Sequence, residues 1–303
     1  MRTDRRPFRA APPRGIALVL VLWVVALLVI LLGGFVVLAR TENLQTRHLF
    51  DGTRARYAAE SGLAYAVLEL RRVNPELRWV PDGRSYTFDF EGAKVEVAIT
   101  DESGKVDING ADEQVLAALL RVVGADEQRA TQIADAALDF RDPDDLIRPN
   151  GAEDREYEAA GLPYTPSNRN FGTVEELQQV LGMDYELYRL LEPHITVYAR
   201  AGRPNPAFAS ATVLQALPGM TPEIAAALVD QRRQLLPGQA AEPLVLPDGT
   251  PLVPAGGGVT YTVRSKATLP NGAWTVLDAT IRLGGAPGGR AFSILRWRPG
   301  SVR

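Results

Sequence analysis

The chain has 303 residues, with 36 acidic side chains against 33 lysines and arginines, a net charge of −3, two histidines and no cysteine. The lack of cysteine excludes disulfides, thiolate metal sites and cysteine nucleophiles, and His48 and His194 alone do not make a histidine-rich metal site. A slightly acidic balance argues against a general polyanion binder.

The first predicted element is an uninterrupted apolar run, Ile16 to Ala39, IALVLVLWVVALLVILLGGFVVLA. Its 24 uncharged residues exceed the ~20 that a helix needs to cross a bilayer. Five arginines, Arg2, Arg5, Arg6, Arg9 and Arg14, precede it against the single acid Asp4, which orients the body of the chain away from the cytoplasm. The run is longer than a signal-peptide core and carries no clean small-x-small cleavage site, so it reads as a retained anchor. At its start, Arg14-Gly15-Ile16 resembles the prepilin leader junction of type IV pilins and pseudopilins. That resemblance implies cleavage between Gly15 and Ile16 on the cytoplasmic side and N-methylation of Ile16; a plain single-pass anchor is the competing reading. The family's acid at the fifth mature residue is replaced here by Leu20. Because that acid neutralises a neighbour's amine in the fibre, its loss implies a subunit with no neighbour above it.

Beyond Ala39 no proline interrupts the chain until Asn74-Pro75, and Leu63, Ala66, Val67, Leu70 and Val73 recur at helical spacing. A single helix from Ile16 to Val73, ~87 Å long at 1.5 Å per residue, is predicted. Its second half is amphipathic and needs a sheet to cover it. The Asp82-Gly83 turn, RSYTFDF, a Glu91-Gly92 link and KVEVAIT then read as two strands, and Lys105 to Ile108 as a further extended piece.

The next hundred or so residues are helical and contain an internal repeat. Val115 to Leu119 (VLAAL) matches Val213 to Leu217 (VLQAL) in four of five places, and Gly124 and Gly219 follow at the turns. Each copy reads as a helix–hairpin–helix, with the glycine supplying positive φ. Such hairpins bind DNA backbone when basic, but Gly124-Ala125-Asp126-Glu127 and Gly219-Met220-Thr221-Pro222-Glu223 are acidic or neutral, which favours a structural or docking role. Between the copies, Asp142, Asp144, Asp145, Glu153 and Asp154 supply carboxylates of the kind calcium takes, although without EF-hand spacing; a solvated acidic loop capping helices is the alternative. A Pro- and Gly-rich loop leads to VTYTVRSKAT, AWTVLDATIRL and AFSILRWR, three strands joined by Asn271-Gly272 and by Gly284 to Gly289.

Four features in this order resemble the minor pseudopilin K family of the type II (general) secretion pathway: the Gly-Ile junction without its acid, AESG at Ala59 to Gly62, KVDING at Lys105, and RDPDD…NGAEDREY…SNRNFGTVEELQQVLGM. The resemblance covers nearly the whole chain. It implies an α+β pilin-like fold, a long transmembrane helix on an antiparallel sheet, with a large all-α insert holding two helix–hairpin–helix (SAM-like) repeats. The expected division is leader 1–15, transmembrane helix 16–39, pilin-like helix and first strands 40–108, helical insert 109–236, and loop plus closing strands 237–303. It further implies a structural subunit, not an enzyme, that caps the pseudopilus tip with the I- and J-type minor pseudopilins and is processed by prepilin peptidase. The implied location is the bacterial inner membrane, single-pass, with the body in the periplasm and no nucleic acid bound. Calcium in the insert is also implied, with Asp142, Asp144, Asp145, Glu153 and Asp154 as candidate ligands.

The other classes are a membrane-anchored helix–hairpin–helix DNA receptor of a DNA-uptake system and an anchored metal-dependent hydrolase. No P-loop or dinucleotide fingerprint is present, and no sequence signal sets a serine beside either histidine.

Overall fold

The computed structural model describes residues 14–235, 237, 244–245, 251–252, 257–284 and 289–300. Residues 1–13 of the expected 1–15 leader, most of the Pro/Gly-rich loop and the centre of the last strand link lie outside these. The chain divides into two units, 1–54 and 55–303.

The first unit is helical from Arg14, where α1 (Arg14–Leu70) begins, so the Gly15–Ile16 junction falls in its first turn. Within it, Ala17–Val36 is long and apolar enough to cross a membrane, and its side chains are exposed all round. A helix apolar on every side has no polar face to give to water, which suits lipid.

The second unit starts at Ala55 and holds a five-stranded antiparallel sheet. In space its order is β1 (Asp82–Phe90), β2 (Ala93–Asp101), β7 (Thr260–Thr268), β8 (Trp274–Leu283) and β9 (Phe292–Pro299). Ala55, Ala58, Ala59, Leu63, Ala66 and Val67 of α1 form one core with Val95, Val97 and Ile99 of β2, Val263 and Ala267 of β7, and Leu277, Ala279 and Ile281 of β8. The helix uses small residues on this face because it lies close to the sheet. A Cβ on Gly62 would stand 2.1 Å from Ser265 Oγ and 3.0 Å from Val95 Cγ1, which gives the AESG segment its physical meaning. The β1–β2 hairpin closes on Glu91 (φ 47°) and Gly92 (φ 79°), the pair of positive values that a two-residue turn between right-twisted strands requires. After α1, Asn74 accepts from the Glu76 amide and caps a short 3₁₀ turn, Pro75–Leu77, which ends the helix at Leu70 rather than Val73.

Between β2 and β7 the chain builds a helical insert with its own core. Its helices are α2 (Glu113–Val122), α3 (Glu127–Arg141), α4 (Asp154–Ala159), α5 (Tyr185–Leu191), α6 (Ala211–Gln215) and α7 (Pro222–Gln234). The extended piece expected at Lys105 to Ile108 is the two-residue strand β3 (Val106–Asp107), and it pairs parallel with β4 (Ile195–Thr196) of the insert rather than with the sheet. A further pair, β5 (Leu244–Val245) and β6 (Pro251–Leu252), lies in the returning loop.

The two segments expected to repeat fall on α2–α3 and α6–α7, with Gly124 (φ 117°) and Gly219 (φ 72°) between the helices of each pair. The copies are unequal: α2 has ten residues and α6 five. Pro218 stands where the first copy has Leu120; it lacks the amide that would continue the helix and disfavours α geometry at Leu217.

Candidate functional site: an acidic cluster in the insert

The last two turns of α3 set the site. Asp135 and Asp139 are four residues apart on a helix otherwise buried through Ala134, Ala136, Ala137, Leu138 and Phe140. Each uses one oxygen to hold the loop that follows. Asp135 Oδ2 accepts from the Asn150 backbone amide and from Asn150 Nδ2, both at 3.1 Å, and Asp139 Oδ2 accepts from the amides of Arg148 (3.2 Å) and Ala152 (3.0 Å). The loop approaches so closely that a Cβ on Gly151 would fall 1.9 Å from Asp139 Oδ2. Only glycine fits there.

That folding brings the loop's acids toward Asp139. Asp142 ends α3 as its C-cap, its amide bonding to the Leu138 carbonyl. Asp145 accepts from Asn168 Nδ2 at 3.1 Å, and Asn168 itself sits at φ 47°. Glu153, 7% exposed, precedes α4, where its amide donates to the Glu156 carboxylate at 3.0 Å. Asp144 accepts from the Leu146 amide at 3.0 Å.

The electrostatics are unfavourable as they stand. Five buried oxygens accept no hydrogen bond: Asp139 Oδ1, Asp142 Oδ1, both carboxylate oxygens of Glu153, and Asn168 Oδ1. Burying such groups unsatisfied costs a few kcal/mol each. Arg148 lends partial compensation, with Nε 3.3 Å from Asp139 Oδ1 and a second nitrogen 3.8 Å from Asp142 Oδ2. Burial pushes the Glu153 carboxyl up to about 7, aided by the charges of Asp139, Asp142, Asp145 and Asp154. Burial likewise raises Asp139, and raises Asp142 with help from Asp144.

The structure therefore gathers Asp142, Asp145, Glu153 and Asp154 of the expected acids around one region and sets Asp144 against Asp142. It adds two groups that sequence reasoning missed, Asp139 and Asn168. Asp139 was legible in principle: acids at 135, 139 and 142 fall on one face of an alanine-rich helix with no basic residue at the same spacing. Among the described residues no group of three or more His, Cys, Asp or Glu side chains is set to hold a metal as it stands. The donor chemistry nevertheless fits a hard cation, since buried carboxylate and amide oxygens without hydrogen-bond donors are the ligands calcium takes.

Elsewhere, the hairpin turns carry their acids outward. Glu127 at the first pairs with Arg121 at 2.5 Å, which holds its carboxyl below the usual range, and Thr221 and Glu223 occupy the second. These are poor phosphate sites. The fold does place a serine beside a histidine, Ser210 Oγ lying 3.3 Å from His194 Nδ1, which no sequence signal announced. That hydroxyl is the N-cap of α6 and accepts the Val213 amide at 3.3 Å, a structural task.

Residues 97–200 match the family model described as type II secretion system (T2SS), protein K. A type II secretion system protein K of Klebsiella pneumoniae is 29% identical over 207 residues, 61% of this chain and 63% of the relative. A protein of the same name from Dickeya chrysanthemi is 40% identical over 84 residues, 28% of this chain and 23% of that one. The matched region thus spans less than two thirds of the relatives' length. Among solved structures, a chain in the GspK-GspI-GspJ complex of the enterotoxigenic Escherichia coli type 2 secretion system aligns with a TM-score of 0.56 and 22% identity, covering 87% of this chain and 99% of that one, a likeness of fold. The residues matched by the family model, 97–200, hold the end of β2, the α2–α3 pair and the whole acidic cluster.

Proposed function

We propose that this chain is a K-type minor pseudopilin of a type II secretion system, anchored by Ala17–Val36 in the inner membrane with its body in the periplasm. The observation that carries this reading is the K-family segment lying within a mixed helix and sheet fold that aligns along most of its length with a chain from a GspK-GspI-GspJ complex. In this reading the spine α1 packs beside the helices of I- and J-type subunits, and the insert, two helix–hairpin–helix units fused to a pilin-like body, caps the pseudopilus. Leu20 in place of an acid suits a subunit at the end of a fibre. Prepilin peptidase removes residues 1–15 and Ile16 becomes the methylated amino terminus.

Calcium is part of the same proposal. Asp139, Asp142, Asp145, Glu153 and Asn168 Oδ1 are the groups that would hold it, with Asp144 and Asp154 beside them. The ion would supply the positive charge that the buried oxygens lack and fix the loop from Asp142 to Glu153 on α3. Co-expression of the full chain with I- and J-type minor pseudopilins tests the central claim. A stable three-protein complex on detergent extraction and size exclusion is expected; a chain that elutes alone with both partners present and folded would refute it.

A further inference from the structure

The insert leaves the sheet after Asp101 on β2 and returns to β7 at Thr260, and Asp101 and Tyr261 are paired neighbours. Both covalent crossings thus lie at one end of two adjacent strands. Side chains reinforce that end. Glu102 accepts from Lys105 Nζ (2.6 Å), Thr262 Oγ1 (2.7 Å) and Thr196 Oγ1 (2.5 Å), and Asp101 accepts the amides of Ser103 (2.9 Å) and Gly258 (2.7 Å).

Away from the crossings the contact is different in kind. The apolar cores of the insert and of the sheet are separate clusters. The sheet face turned from α1 presents two polar rows in register, Thr100–Thr262–Thr280–Arg296 and Ala98–Arg264–Asp278–Arg298. Between these rows and the insert residues Val174, Pro193 and Tyr198 lies a cavity of about 580 Å³. On the edge strand β9, two strands beyond β7, the insert is met by ion pairs: Arg296 with Glu175 and with Glu192 (3.2 Å), and Arg298 with Glu192 (2.6 Å). Burial alone would push the Glu192 carboxyl up, yet Arg298 and Arg296 hold it below the usual range. Modules joined through a polar seam move relative to each other by default, and a hinge forms where the chain crosses.

We propose that Arg296 and Arg298 of β9 with Glu175 and Glu192 of the insert form a latch, and that breaking it swings the insert about the Asp101/Thr260 crossing and opens the cavity. Each part keeps its own core in the open state, so opening costs only the polar seam. Part-exposed ion pairs are weakened by salt, so the open population rises with ionic strength.

Hydrogen–deuterium exchange on the full chain in detergent, for wild type and Arg296→Glu/Arg298→Glu, tests the latch. The variant is expected to exchange roughly 5- to 30-fold faster at residues 173–180, 192–198 and 292–299, the factor that the loss of one or two kcal/mol produces, while α2 and α3 stay protected. Wild type in 1 M NaCl should move the same way, and the fourfold charge swap that adds Glu175→Arg and Glu192→Arg should restore protection. Unchanged exchange at these three segments overturns the proposal. So does faster exchange that extends equally through α2 and α3, since insert and sheet would then open as one cooperative body, and so does a charge swap that restores nothing.

Discussion

Replacing Glu153 with glutamine separates a structural acid from a metal ligand, because the two roles give opposite signs. In the metal-free protein the folded state lifts this carboxyl from its ordinary 4.5 to about 7, through burial first and then four neighbouring acids. A folded-state value above the unfolded one means that the folded protein holds the proton longer. Stability is then intact below pH 4.5 and falls as pH rises through 7. At 1.36 kcal/mol per tenfold, the cost of ionising Glu153 at pH 8 reaches about 3 kcal/mol. Glu153→Gln removes that cost while keeping the shape. The calcium-free variant at pH 8 should melt about 6–12 °C above wild type, taking ~2–4 °C per kcal/mol for a body of this size. Calcium reverses the order. A site filled at a hundredfold excess over Kd adds ~2.7 kcal/mol to wild type and much less to a variant lacking a charged ligand. Thermal unfolding of the detergent-solubilised chain, followed by tryptophan fluorescence in EGTA and in calcium at pH 5 and pH 8, reads both effects. A variant that melts below wild type in EGTA and responds to calcium as wild type does would refute the reasoning.

Gly62→Ala drives a Cβ against Ser265 Oγ and Val95 Cγ1, so although alanine is the better helix former by ~1 kcal/mol, a net loss of about 1–3 kcal/mol is expected in chemical denaturation. Ser265→Ala removes a buried hydroxyl that has no partner, so by itself it should be neutral or slightly stabilising, and combined with Gly62→Ala it should recover part of that loss. Gly151→Ala collides with the Asp139 oxygen that holds two loop amides; about 1–3 kcal/mol should be lost, together with any calcium response. Intact mass of the membrane-extracted protein with prepilin peptidase present should show loss of Met1 to Gly15 and one added methyl, and an unprocessed chain would remove the leader from the reading.

The strands and the spine were legible because their signals are local. Alternation in KVEVAIT, the Asn-Gly turn and a proline-free helical stripe each act within a few residues, and the sheet pairs those strands. What could not be read was anything set by close approach between distant segments. Gly62 is ordinary in sequence and needed in space only because Ser265 lies across from it. The pairing of Val106–Asp107 with Ile195–Thr196 spans almost ninety residues with no turn to announce it. The acidic site was half visible. The loop supplied a dense run of carboxylates, but its centre, Asp139, sits inside a helix whose pattern reads as core. The acid spacing at 135, 139 and 142 marks it, but buried charge is rare in a helix and the apolar neighbours outweigh that signal.

The sheet's two faces explain how a chain can bear so large an insert. The face toward α1 is aliphatic and already covered by the spine. The other face carries threonines, arginines and an aspartate, and an antiparallel sheet tolerates one such face in water. The sheet therefore does not need the insert to bury it, and the insert, with Phe140, Tyr157, Leu119 and Leu214 in a core of its own, does not need the sheet. Two bodies that are each complete in burial can be joined by crossing loops and charge pairs alone. The arrangement has a consequence: bulk can be added on the polar face of the sheet without altering the helix that covers the other face. What such a joint lacks is apolar glue, and that places the burden of its geometry on Glu102 at one end and on Arg296 and Arg298 at the other.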